Sequence, residues 1–275
     1  MKKIWIYWVL AFVLTIGAAI YQRLTGPTHP RRISTEINGK TYNFHLPRSQ
    51  GGQKDCKVAI DIPDESVSAK IFYRHYPTNE DWKEEFMVRK DNSLSAWLPN
   101  QPPAGKLEYY IQLISSDNIK FVAKEQPVII RYKGAVPAYI LIPHILFMFA
   151  AMLLSNLALI LAIARSPKVV LYTKITFACL FIGGMILGPV VQKFAFGELW
   201  TGVPFGFDLT DNKTLIGVLF WGLALIGNLK KPRYYLVILA ALVLLAVYSI
   251  PHSAMGSELN YETGKVVTGY IQLLF

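Results

Sequence analysis

Charge is missing from long stretches of this sequence. Residues 4–20, 138–164, 175–191, 215–229 and 234–250 contain no Lys, Arg, Asp or Glu. Such segments cannot form the wetted surface of a soluble domain. Each is about 15 to 25 residues long, the length a helix needs to cross roughly 30 Å of hydrocarbon. The chain is 53% hydrophobic with a mean hydropathy of +0.33, which agrees with membrane spans and not with an ordinary soluble composition. Cysteine is scarce as well. Cys56 lies in a charged region and Cys179 inside the third apolar block, so a disulfide framework is excluded and each is expected to be an unpaired structural residue. There is no phosphate-binding loop, no dinucleotide fingerprint and no zinc-protease motif, so nothing marks a nucleotide- or zinc-dependent enzyme. Nor do the spans carry the ionisable residues that an ion-coupled transporter needs.

The charges that do occur are distributed by side. The segments 1–3, 165–174 and 230–233 hold Lys2, Lys3, Arg165, Lys168, Lys174, Lys230, Lys231 and Arg233, with no acid among them. All 18 acidic residues fall on the other side of the apolar blocks. The positive-inside rule then places the amino terminus in the cytoplasm and both the large polar region and the carboxyl terminus outside. The formal charge of +10 is therefore topological in large part, and no nucleic-acid partner is expected. Met1-Lys2-Lys3 before an apolar run could open a cleaved signal peptide. Ala18-Ala19, followed by bulky Ile20, Tyr21 and Gln22, makes a poor cleavage site, and an uncleaved anchor over residues 1–22 is expected.

Residues 23–134 differ from the rest, with 17 basic and 13 acidic side chains mixed together. Short apolar or alternating runs at 57–62, 69–75, 85–89, 94–98, 108–115 and 127–132 predict strands. Asp91-Asn92 and Pro102-Pro103-Ala104-Gly105 divide them, and Asn38-Gly39 predicts a hairpin within 33–46. Gly51-Gly52, within Ser49-Gln50-Gly51-Gly52-Gln53, reads as a turn element. Strands at this spacing suggest a β-sandwich. Tyr73, Trp82, Trp97, Tyr109 and Tyr110 are expected as core or sheet-face aromatics, with a carbohydrate or peptide platform as the sharper alternative.

The stretch Ile71-Phe72-Tyr73-Arg74, Trp82, Phe86-Met87, Leu98-Pro99, Gln101-Pro102-Pro103-Ala104-Gly105 and Glu108-Tyr109-Tyr110-Ile111 resembles a bacterial fibronectin type III or immunoglobulin-like module over about residues 56–132. The resemblance implies a sandwich and a binding or spacing role, and no particular chemistry. The expected fold is an α-helical bundle of about five transmembrane helices plus an extracytoplasmic all-β immunoglobulin-like sandwich. The expected domains are the anchor 1–22, the β domain 23–134, a four-helix membrane block 135–250 and an outer tail 251–275.

Within the spans, Ser155 and Asn156 are the notable polar groups, and Asn156 is expected to bond across to another helix. Gly183-Gly184 and Gly188 would allow close helix approach. The denser chemistry falls at the outer boundary. The loop 192–213 contains Lys193, Glu198, Trp200, Asp208 and Asp211 among Phe194, Phe196, Phe205 and Phe207. It is too aromatic for a plain connector and is expected to fold onto the membrane surface. Ile-Pro-His occurs twice, ending in His144 and His252, and Glu258 follows in the tail.

Three readings fit these residues. In the structural one the aromatics form an interfacial belt, Asp211 or Thr210 caps the fourth span, and the histidines bond backbone carbonyls. In the second, His144, His252 and Met148 hold a metal or haem, with carboxylates in support. In the third, His252 with Glu258 or Asp208 performs acid–base chemistry. The reading carried forward is a non-enzymatic membrane protein or accessory subunit without a cofactor, using the outer domain and the loop. Its expected partners are the lipid bilayer and a protein or cell-envelope ligand. Glu198, Trp200, Asp208, Asp211 and Glu258 form the candidate interfacial cluster, and the metal or haem site near His144 and His252 is the alternative.

Overall fold

The computed structural model describes residues 4–115, 118–251 and 256–267. Its polar part is built of β-strands. β1 (Arg31–Ile37) and β2 (Lys40–Leu46) pair around Asn38 and Gly39, whose φ angles of 48° and 72° suit the tight hairpin their sequence predicts. β3 (Ser49–Gly51) runs parallel to β11 (Val128–Lys133). This edge strand runs into Gly51-Gly52, which were expected as a turn, and no strand was expected here. Its glycines carry no apolar alternation, so periodicity could not reveal it.

A larger sheet has the order β3-β11-β9-β5-β6, with β10 (Asn118–Val122) also paired to β9. Here β5 is Ser68–His75, β6 is Lys83–Phe86 and β9 is Lys106–Ser115. A smaller sheet has the order β4-β8-β7, from Cys56–Asp61, Ser93–Leu98 and Val88–Lys90. The predicted strand at 85–89 is therefore two strands in different sheets, separated at buried Met87. Alternation explains the burial. Cys56, Val58 and Ile60 on β4, Ala69, Ile71 and Tyr73 on β5, and Leu107, Tyr109, Ile111 and Leu113 on β9 enter one apolar core. Phe44 and Leu46 of the β1–β2 hairpin join it. Each large side chain buried there contributes about 1.5–3 kcal/mol.

Five helices form the apolar part. α1 (Ile4–Thr25), α2 (Ala138–Ile163), α3 (Val169–Phe196) and α4 (Leu209–Gly227) are long and apolar enough to cross a membrane. α5 (Tyr234–Ser249), at 16 residues, is shorter and reaches about 24 Å at 1.5 Å per residue. Four helices thus have the length of a span, and α5 is the short member of the five expected. Arg233 precedes α5, and Pro251 follows it with Ile250 already extended. The fourth apolar block, the shortest in sequence, belongs to a 19-residue helix because Thr210, Asp211, Asn212 and Lys213 form its polar first turn. A search for apolar residues alone omits that turn.

α2 packs against α1, α3 and α5, and α4 packs against α3 and α5. Fully buried Trp221 on α4 lies in the same apolar cluster as residues of all five helices. Asn156 Nδ2 donates to Thr15 Oγ1 on α1 at 3.0 Å. Close approach rests on small residues: a Cβ on Gly183 would stand 2.9 Å from Met148 Sδ, and one on Gly184 2.7 Å from Thr214 Cγ2. Around these glycines α3 is wound as a π-helix over Phe181–Leu187.

Candidate functional site, a cavity beneath the β domain

Two local signals shape the loop that crowns the bundle. α3 ends at Gly197, whose φ of 93° supplies the left-handed stop. α4 begins at Asp208, which is its N-cap: Oδ1 accepts from the N–H groups of Thr210 at 2.8 Å and Asp211 at 3.4 Å. The expected cap, Asp211 or Thr210, is thus corrected to Asp208. Asp211 lies one turn in, and its Oδ2 collects the N–H of Thr201 at 2.6 Å, the N–H of Gly202 at 3.1 Å and Gln192 Nε2 at 3.0 Å. These bonds fold the loop back over α4, and Trp200 Nε1 donates to Val203 O at 3.1 Å. Phe205 and Phe207 remain 82% and 77% exposed, so the apolar edge of the loop projects outward.

The tail closes the arrangement. Ser257 donates to Asp208 Oδ2 from both N and Oγ at 2.9 Å, and its Oγ also meets Thr201 Oγ1 at 2.9 Å. Next to it, Glu258 pairs with Lys106 of β9 at 2.5 Å. β12 (Glu258–Leu259) and β13 (Val266–Val267) form a small hairpin that hydrogen-bonds to Ala104 through Leu259 N. Tyr261 OH accepts from Lys106 N at 2.9 Å, and its ring lies 4.2 Å from that of His75. The β domain also touches α3 directly, Gly134 N–H donating to Ala195 O at 3.0 Å.

Beneath this junction lies a cavity of ≈ 650 Å³, within the size range of small-ligand pockets. Its lining is divided by chemistry. Ala18 and Ala19 of α1 and Ile145, Met148, Phe149 and Met152 of α2 supply apolar wall. Arg131 and Lys133 of β11, Asp208, and Asp211 and Lys213 of α4 supply charge. Arg131 is buried, with its guanidinium 4.1 Å above the Phe196 ring and Nη2 donating to Ser257 O. Its Nε has no hydrogen-bond partner among the described residues. Burial pushes its pKa down to about 10, against the pull of Asp208 and Glu258, so it stays charged at neutral pH. Burial, and then repulsion from Arg131 and Arg23, lower the pKa of Lys133.

The expected site residues are distributed as follows. His144 Nδ1 lies 2.9 Å from Gly183 O, a carbonyl that also accepts the Gly188 N–H. Met148 Sδ accepts from Tyr248 OH at 3.6 Å. His252 lies outside the described residues, so the separation of the two histidines is not defined. Asp208 and Asp211 share one network, Glu258 faces Lys106, and Glu198 is exposed. No group of three or more His, Cys, Asp and Glu side chains stands together for a metal among the described residues.

Several residues that matter here had no role in the sequence reading: Gln192, Thr201, Ser257, Lys213, Arg131 and Lys133. The two cations on β11 carried a usable signal. They end the last strand before the bundle, only a few residues ahead of α2, so connectivity alone holds them near the end of the bundle. Compared with protein-family models and with curated proteins, the chain matches none.

Proposed function

We propose that this chain is a non-enzymatic integral membrane protein that holds an amphiphilic cell-envelope ligand in the cavity between its helices and its β domain. The observation that carries this reading is the split lining, with apolar wall from α1 and α2 and charge from β11 and α4. An amphiphile fits both halves at once, whereas a wholly polar ligand would leave the methionines and Phe149 against its charged surface. Placing the amino terminus in the cytoplasm and the β domain and tail outside follows from the one-sided lysines and arginines. The ligand would then sit at the outer headgroup level, with Phe205 and Phe207 at the interface.

The immunoglobulin-like reading of the β domain is part of the proposal. It is supported by two sheets that share one core, by the order β4-β8-β7 against β3-β11-β9-β5-β6, and by the antiparallel pairing of all but β3 with β11. The inter-sheet disulfide of antibody domains has no counterpart, since Cys56 is a free thiol. A second reading, capture of a protein partner, is favoured by the outward face of the larger sheet. There Phe72 stacks on Tyr110 at 4.8 Å, Trp82 meets Tyr110 edge-on, and Arg74 covers Trp82 at 4.4 Å. The metal or haem alternative rests on His144 with His252 and has less support, because Met148 and His144 already bond to Tyr248 and Gly183.

The test is purification of the full chain in mild detergent, followed by mass spectrometry of whatever co-purifies. A lipid-like amphiphile should be present in the native protein and depleted in Ala19→Trp, which fills the cavity. A folded protein that neither carries nor takes up any amphiphile would reject the reading.

A further inference from the structure

We infer that the ligand of this cavity is a membrane lipid with an anionic phosphate head, bound by Arg131 and Lys133, with its chains against Met148, Phe149 and Met152. The inference rests on the amphiphile reading and names the head that such a ligand must have. Arg131 and Lys133 are two residues apart on β11, so their side chains leave the strand on the same face. Both line the cavity. Two cations held together in a partly dry site repel each other, and that arrangement is stable when an anion lies between them. Burial is the main cause that lowers the pKa of Lys133, and repulsion from Arg131 and from Arg23 at the end of α1 adds to it.

Asp208 and Glu258 pull on Arg131 through charge, yet the protein's carboxylates direct their hydrogen bonds elsewhere. Asp208 gives Oδ1 to the start of α4 and Oδ2 to Ser257. Asp211 Oδ2 is taken by Thr201, Gly202 and Gln192. Glu258 is bound to Lys106. Arg131 makes a single hydrogen bond from its guanidinium, to Ser257 O, and its buried Nε points to no acceptor among the described residues. Its one acceptor is a neutral carbonyl, and an anionic phosphate beside the guanidinium supplies the opposite charge through a charge-assisted bond. No hydrogen bond or ion pair from Lys133 Nζ is formed within the described residues, which leaves it for a second phosphate oxygen. A phosphate presents several oxygens to two separated cations, which one small carboxylate does not. The apolar wall below explains why the phosphate arrives on a lipid and not as a free ion.

The experiment uses the full chain, delipidated in detergent, and measures binding of dioleoylphosphatidylglycerol, of uncharged dioleoylglycerol and of inorganic phosphate. Phosphatidylglycerol should bind roughly tenfold or more tightly than dioleoylglycerol, with a preference that weakens at high salt. Lys133→Gln, a partly exposed site chosen because buried Arg131 helps hold the fold, should remove most of that preference, and Lys133→Arg should restore it. Equal binding of the two lipids, or an unchanged preference in Lys133→Gln, overturns the phosphate assignment and leaves the amphiphile reading intact. Failure of both lipids to bind overturns the amphiphile reading itself. Inorganic phosphate binding as tightly as the lipid overturns the lipid as its source.

Discussion

Asp208 joins two distant parts of the chain: one carboxylate oxygen starts α4, and the other holds the backbone N–H and the hydroxyl of Ser257, each at 2.9 Å. The side chain is buried, so neither set of donors can fall back on water. Asp208→Ala is expected to cost about 2–4 kcal/mol, a lost cap together with donors left unmet on Ser257. Asp208→Asn keeps an acceptor for the cap and should cost about half as much. Denaturant unfolding in detergent measures the difference. Limited proteolysis should show the tail beyond residue 256 released in the Ala variant first.

Gly134 is the narrowest point between the β domain and the bundle. A Cβ there would lie 2.1 Å from Phe194 O, a backbone atom that cannot swing aside. Gly134→Ala should therefore destabilise the junction by about 1–3 kcal/mol or more, as overpacking does elsewhere. Thermal unfolding of the purified variant checks this, with Gly51→Ala as a control because nothing lies within 4 Å of a Cβ at that position.

The bond from Asn156 to Thr15 is a polar link between α1 and α2. Thr15→Val and Asn156→Ala should each loosen the helices, and their double-mutant coupling should be about 0.5–1.5 kcal/mol, the scale of hydrogen bonds within lipid. Coupling near zero in a reversible unfolding assay would show that this bond does not hold α1 to α2. Thr15 also belongs to the cavity lining, so lipid uptake provides a second readout.

Burial pushes the Cys56 thiol up to about 11. The thiolate is the reactive form, so the folded protein should resist maleimide at pH 8 and become labelled on unfolding. The proton is held more tightly in the folded state than in the unfolded one. Stability is therefore fully present below the ordinary thiol value of 9.0 and is lost as pH rises towards about 11. Cys56→Ala should lack that alkaline loss in a pH series of melting temperatures.

The parts of the fold legible in the sequence were those with a period or a composition of their own. Alternation located β4, β5, β8, β9 and β11 to within about two residues, Asn38-Gly39 marked the hairpin, and the charge-free blocks found every helix. The ends of the helices were harder to place. Thr210 to Lys213 looked like loop because their polar groups are satisfied through tertiary bonds that no local window records. The site was less legible still. Asp208 and Asp211 stood out as acids in an aromatic loop. Their partners Ser257, Thr201 and Gln192 are ordinary polar residues whose importance comes from bonds to these acids, the longest spanning 49 positions. Arg131 and Lys133 resembled any alternating strand residues, and only the docking of β11 over the helices gives them a shared cavity.

The wide turns at Phe181–Leu187 set the rotational phase of everything that follows in α3. Each such turn absorbs a residue that ordinary winding would have carried about 100° further around the axis. Gln192 and Ala195 come after it, one aimed at Asp211 and Thr201, the other offering its carbonyl to Gly134. Excising one residue between Phe181 and Leu187 would swing both by roughly a quarter-turn, separating the loop and the strand from the helix without altering any group that bonds them. A winding irregularity two turns away thus acts as the indexing pin for the whole roof.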